Sequence, residues 1–246
     1  TGKTRLALRV AGLLAQEIET GGPPHEGGRA FADGVFFVPL ASAATAGQLS
    51  AALADALGLP LAGQEDPHAR LLDYLRARRV LLVVDNCEQF LGDGQNIAPL
   101  VDILACSPVS KLLATSRERL MLQEEWVYPL GGLHYPLSRP PAESQAAPEW
   151  VEQYDALRLF YQRARQARIG FSPDTASLPY AIQVCQMLEG LPLGVELAAA
   201  ALWSRPCREI AEQIARGMST LNAPALNANP RHRSLWAAFE VSWQLL

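Results

Sequence analysis

Three short apolar runs punctuate the first half of the chain: VFFVPL (35–40), VLLVVD (80–85) and KLLATS (111–116). VFFVPL is a short continuous apolar run that reads as a strand covered on both sides. VLLVVD, β-branched-rich and ending on an acid, is the strongest strand, and KLLATS reads as another. The intervening stretches carry helical patterns at 46–58, at 67–78 behind Asp66-Pro67, and at 95–106. Strands alternating with helices of about ten residues imply parallel pairing through βαβ crossovers. A helix is predicted over 4–18, where Leu6, Val10, Leu13, Leu14 and Ile18 share one broad face, with a breaker-rich loop after it over 20–34. WVYPL (126–130) reads as a further short strand. With one more strand upstream of Thr1, the sheet would hold about five.

The pattern changes beyond PLSRPPAESQAAPE (136–149), a Pro/Ala/Ser linker. The stretches 150–168, 175–189, 192–203 and 207–217 read as helices, ahead of a loop over 222–231 and a final helix within SLWAAFEVSWQLL (234–246). At 246 residues, 49% hydrophobic and 19% charged, the chain has material for a folded core in one large domain or two smaller ones. Its net charge of −4 gives no overall pull toward nucleic acid or an anionic membrane. Cys87, Cys106, Cys185 and Cys207 form no C-x-x-C pair and lack histidines at metal-ligand spacing, so free thiols in a reducing compartment are expected. The most apolar stretch, 191–203, is too short to span a bilayer and carries Glu196. A cytoplasmic protein with no membrane partner is expected.

In open parallel sheets, ligands bind beyond the carboxyl ends of the strands. The chain opens on TGKTRLALRV, so Gly2-Lys3-Thr4 stands at the start of the first helix, on that side of the sheet. Backbone N–H groups at such a helix start face phosphate oxygens, and a glycine allows close approach. Lys3 would reach the β- and γ-phosphates and the Thr4 hydroxyl would ligate Mg²⁺. Asp85, at the tip of VLLVVD, has the position of a second magnesium anchor, or else simply ends a strand at the surface. Arg117, delivered by KLLATSRER, would distinguish a triphosphate from a diphosphate, or is an exposed arginine at a helix start.

GKTRLAL, LLVVDNCEQF, LLATSRERL, GLPLGVELAAAAL and RHRSLWAAFEVSWQLL come in the order and spacing of the STAND-class P-loop ATPases. The chain most resembles the NB-ARC-like cores of bacterial SARP and large LuxR-type transcriptional regulators. The resemblance implies a P-loop nucleotide-binding domain over 1–135, a linker over 136–149, a helical domain over 150–221 and the start of a winged-helix domain over 222–246. It makes Gly2, Lys3 and Thr4, with Thr1 and Arg5 flanking them, the end of the Walker A loop, whose front half would lie upstream. Asp85 becomes the Walker B acid that holds Mg²⁺ with Thr4. Arg117 becomes the sensor arginine, and Pro192 of GLPL the proline packed near adenine. From the residues alone, EGLPLGVEL reads only as a helix stop and restart.

ATP or ADP is the implied ligand, seated between the nucleotide-binding and helical domains. The implied catalytic group is Lys3, Asp85, Glu88 and Arg117. Where many relatives carry a second acid directly after the Walker B aspartate, this chain has Asn86, and Glu88 is the nearest candidate base. His232 belongs to the winged-helix start and takes no β-phosphate role.

A nucleotide-controlled switch with slow or no hydrolysis is the first expectation. It would act on DNA-binding and repeat-built sensor regions of a longer chain, with self-association on activation, and the segment itself would not bind DNA specifically. The second is a P-loop enzyme with full turnover, a kinase or an AAA+-like motor, for which Arg205 or Arg208 are the arginines at hand. The third is a scaffold that has lost its ligand. Against that third reading stand Lys3, Thr4 and Asp85, a trio that no structural need calls for.

Overall fold

The computed structural model describes residues 2–20, 31–60, 66–91, 96–138, 148–171, 174 and 176–216. They fall into two compact units, Lys3–Tyr128 and a second from Pro129 onward that also takes in Gly2. The expected winged-helix start and the last residues of the expected helical domain lie outside the described residues, as does Thr1.

The first unit is α/β. Its elements run α1 (Lys3–Thr20), β1 (Gly34–Pro39), α2 (Ala46–Ala56), α3 (Pro67–Leu75), β2 (Val80–Asp85), a 3₁₀ turn (Cys87–Phe90), α4 (Ala98–Cys106) and β3 (Lys111–Ala114). The strands form a three-stranded sheet in the order β1-β2-β3. Both pairings are parallel, with Gly34 opposite Val80 and Leu81 opposite Lys111.

The apolar run of β2 is explained by cover on both faces. Leu81 and Val83 pack with Ala7 and Ala11 of α1. Val80, Leu82 and Val84 point the other way, into a core shared with Leu49 and Leu53 of α2, Leu71 and Leu75 of α3, and Leu100 and Ile103 of α4. All five are buried. Alternation along the strand sends successive side chains to opposite faces, so a strand between two helical layers must be apolar throughout. Each such side chain contributes about 1.5–3 kcal/mol of transfer free energy, against the entropy of ordering the chain.

Helix starts follow the local chemistry. Thr45 caps α2 in a capping box: Gln48 N–H donates to Thr45 Oγ1 at 3.3 Å, and Gln48 Oε1 accepts from Thr45 N–H at 3.3 Å. Asp66 caps α3 by accepting from His68 N–H at 3.0 Å, with Pro67 as the first helical residue. Thr45→Ala is expected to lower the stability of the first unit by about 1 kcal/mol, read as a shift of the urea unfolding midpoint at unchanged slope.

Two sequence expectations give way. WVYPL forms no strand: residues 126–130 are irregular, with Trp126 97% and Tyr128 80% exposed. A short apolar segment becomes a strand only if a sheet edge and a covering layer take it up, and these rings are covered by neither. The described sheet accordingly has three strands, one fewer than the four read within this sequence.

The predicted helix over 150–168 is two helices, α5 (Pro148–Glu152) and α6 (Asp155–Ala167). Between them Tyr154 is extended, its ring 4.9 Å from the rings of Trp150 and His134. His134 O accepts from Ala156 N–H at 3.1 Å, which satisfies one of the orphan donors of the new helix start.

The second unit continues with α7 (Leu178–Met187), α8 (Pro192–Ala200), a 3₁₀ turn (Ala201–Trp203) and α9 (Cys207–Arg216). Phe160, Tyr161, Ile182, Val195, Ala198 and Ile210 lie in its buried core. At EGLPLG one helix stops and the next starts, as the residues suggest. Gly190 has φ +64°, its N–H donates to Cys185 O at 2.9 Å, and Pro192 is the first residue of α8. Among the described residues no helix is long and apolar enough to cross a membrane.

Candidate functional site

The carboxyl ends of β2 and β3 meet the start of α1, and most of the residues singled out in the sequence collect there. Gly2 has φ +80°, a left-handed turn that a side chain would strain, and Lys3 then begins α1. Thr4 Oγ1 donates to Asp85 Oδ1 at 2.6 Å, linking residues 81 positions apart. Asp85 is the last residue of β2.

A second hydroxyl reaches the same oxygen. Thr115 comes directly after the last residue of β3, and its Oγ1 donates to Asp85 Oδ1 at 2.5 Å. Thr115 is buried, 7% exposed, and its backbone and side chain together touch four consecutive residues. Its N–H donates to Val84 O at 2.9 Å, its Oγ1 also accepts from Asn86 N–H at 3.0 Å, and its carbonyl accepts from Cys87 N–H at 2.9 Å. Asn86 takes the left-handed conformation, φ 72°, as the chain turns around this anchor into the 3₁₀ turn. From the other side Leu40 N–H donates to Asp85 O at 3.0 Å, and Gln89 Nε2 donates to Leu40 O.

Charge collects beside the carboxylate. Arg117 Nε lies 3.1 Å from Glu88 Oε1, with side-chain exposures of 33% and 15%. Partial burial pushes the Lys3 ammonium below the ordinary lysine range, Glu88 pulls it back, and Arg117 pushes it down again. Lys3, Glu88 and Arg117 are therefore electrostatically coupled. Burial first, then Glu88 and Asp85, push the buried Cys87 thiol up to about 12, which leaves it protonated and unreactive. Burial likewise pushes Cys185 and Cys207 up to about 12, and all four cysteines are free.

Lys3, Thr4, Asp85, Glu88 and Arg117 are thus brought together, with Gly2 directly before them. Arg5 is exposed on the first turn of α1. Pro192 lies in the second unit, where it opens α8. Sequence reasoning missed Thr115. The sequence showed only a hydroxyl at the carboxyl end of KLLATS; the register of the folded sheet, with Val84 opposite Ala114, is what sets Thr115 beside Asp85.

The donor set suits a hard cation. A hydroxyl carries one proton and two lone pairs, so Thr4 can donate to Asp85 and still offer an oxygen to a metal. One hydroxyl and one carboxylate make a small protein contribution, as suits Mg²⁺, which keeps waters and takes phosphate oxygens as its other ligands. The half-buried Lys3, with Arg117 nearby, has cationic charge whose burial an anion would offset. Among the described residues no cluster of three or more His, Cys, Asp or Glu could hold a metal alone. A cation here would draw its remaining ligands from water or from a bound anion.

No family model matches the chain. A Mycobacterium tuberculosis H37Rv protein and a Mycobacterium bovis protein, each provisionally named an HTH-type transcriptional regulator, are 31% identical to it over 249 residues, covering 100% of this chain and 24% of theirs. Two further proteins from the same organisms, named only as uncharacterized, are 31% identical over 202 residues, covering 81% of this chain and 42% of theirs. The chain thus spans about a quarter of the length of the regulators it matches. Along its whole length it is similar to a segment of proteins named as transcriptional regulators.

Proposed function

We propose that this chain is a P-loop nucleotide-binding module of the STAND class, the ATP/ADP-dependent switch of a cytoplasmic bacterial transcriptional regulator. The observation that carries the reading is the Thr4–Asp85–Thr115 hydroxyl–carboxylate cluster at the carboxyl end of a parallel sheet, with Lys3 and Arg117 beside it. In this reading Gly2 and the first N–H groups of α1, flanked by Thr1 and Arg5, receive the phosphates. Lys3 would reach the phosphates as a point charge. Thr4 and Asp85 would hold Mg²⁺, which would neutralise phosphate charge.

The pairing of Glu88 with Arg117 favours a switch over a fast enzyme. A carboxylate held 3.1 Å from a guanidinium is oriented toward that partner rather than toward a water. A γ-phosphate would compete with Glu88 for Arg117, so triphosphate and diphosphate states would differ in charge pairing at one end of the 3₁₀ turn. Such differential contacts are what a ligand needs in order to shift a conformational equilibrium. The similarity to longer proteins named as HTH-type transcriptional regulators supports a regulatory output; DNA-binding and sensor regions of a longer chain and self-association belong to the same proposal.

The test is to purify the full-length protein, denature it and identify the released nucleotide by chromatography. Bound ADP or ATP is expected, with ADP marking a resting state that awaits exchange. A protein that releases none and takes up none from added Mg-ATP would overturn the reading.

A further inference from the structure

We infer that Thr115 is a positioning residue for the divalent cation. Its hydroxyl fixes the Asp85 carboxylate so that the cation is held by Asp85 and Thr4 together. The inference rests on the nucleotide reading above and assigns a role that the sequence did not suggest.

The geometry separates Thr115 from a filler at a strand end. It is buried, yet both hydrogen-bonding roles of its hydroxyl are in use, one donated to Asp85 Oδ1 at 2.5 Å and one accepted from Asn86 N–H at 3.0 Å. That second bond orients the hydroxyl: with Asn86 occupying a lone pair, the proton is directed to the carboxylate. Thr4 and Thr115 approach Oδ1 from α1 and β3, so the carboxylate is gripped from two elements of the sheet–helix junction. Without Thr115 the carboxylate would keep the exposed Thr4 as its hydroxyl donor and could rotate about χ2, which is a soft torsion for aspartate. Groups that orient a metal ligand in this way typically set metal affinity by about 10–100-fold.

A structural role alone makes a different prediction. The backbone bonds from residue 115 to Val84 and Cys87 do not involve the hydroxyl that Thr115→Val removes. If the hydroxyl only stapled β3 to β2, its loss would lower stability and weaken nucleotide binding with and without metal alike.

The experiment measures ADP affinity of the full-length protein with Mg²⁺ and with EDTA, for wild type, Thr115→Val, Thr115→Ser and Asp85→Asn. The expected result is an unchanged affinity in EDTA for Thr115→Val, loss of about 10–100-fold of the Mg²⁺ enhancement, and rescue by Thr115→Ser. Adding Thr115→Val to Asp85→Asn is expected to cost nothing more, since the hydroxyl acts through that carboxylate. Should Thr115→Val fail to fold, Thr115→Cys, with its weaker donor, gives a partial loss of the same enhancement. A Thr115→Val protein with wild-type Mg²⁺ enhancement, or one weakened equally in EDTA, overturns the inference while leaving the nucleotide reading intact. A wild type that binds ADP without any Mg²⁺ enhancement overturns the cation site, and one that binds no nucleotide overturns both.

Discussion

Lys3→Ala is expected to weaken Mg-ADP binding by about a hundredfold while leaving the unfolding transition of the first unit nearly unchanged. Lys3 is the first residue of α1, and the helix does not depend on its side chain. Its ammonium is half-buried next to Glu88 and Arg117. Removing one member of a partly desolvated charge pair costs about 2–5 kcal/mol in binding, and 1.4 kcal/mol is tenfold, so a hundredfold loss sits near the lower end of that range. The same residue gives a pH signature. Burial holds Lys3 below the ordinary lysine range in the free protein, and a phosphate beside it would raise it again.

A group whose bound value lies above its free value takes up a proton on binding in the window between the two. Affinity therefore declines as pH climbs past the lowered free value. Titrating ADP affinity by calorimetry from about pH 7 to about pH 10 is expected to show this decline in wild type and a flatter profile in Lys3→Ala. A wild-type affinity unmoved by Lys3→Ala would remove Lys3 from the phosphate site.

How much of this was legible in the residues depends on which forces decide each element. VLLVVD is a strand because burial on two faces demands an unbroken apolar run, and such runs are visible without a structure. The capped starts at Thr45 and Asp66-Pro67 are equally local, as is the stop and restart at Gly190 and Pro192. WVYPL was misleading because its apolarity says only that it suits a covered strand, and cover is a property of the whole fold. The break at Tyr154 was invisible for the same reason, since aromatic packing on His134 and Trp150 outweighs the helical propensity of the stretch.

At the candidate site, residue types with known chemistry could be named singly. Their convergence required the parallel register of β2 and β3 and the placement of α1 on the sheet. Thr115 was overlooked because a threonine at a strand end has many uses. Only its distance from Asp85 selects among them.

The second unit holds the other large effect: Gly190→Ala is expected to destabilise it by about 3 kcal/mol. Two stretches of backbone cross there without room for side chains. Leu133 N–H donates to Gly190 O at 2.8 Å, and a Cβ on Gly190 would collide with the Leu133 carbonyl oxygen. The crossing is tight on both sides, since a Cβ on Gly132 would collide with the Glu189 carbonyl oxygen. Gly190 also has φ +64°, where an L side chain costs about 1–2 kcal/mol even in open space. Moving the two stretches apart to admit the methyl breaks the Leu133–Gly190 bond, and an unsatisfied backbone group costs about 1–3 kcal/mol more.

Gly170 separates the two contributions. It lies in the same unit with φ +79°, and a Cβ there meets nothing within 4 Å. Gly170→Ala should therefore carry the conformational cost alone, about 1 kcal/mol. Urea unfolding of the two variants beside wild type measures the difference directly. If Gly190→Ala and Gly170→Ala shift the transition equally, the backbone crossing contributes nothing and the left-handed conformation explains both. A larger shift for Gly190→Ala would locate the excess at the contact between Leu133 and Gly190, which pins residues 132–133 against the stop between α7 and α8.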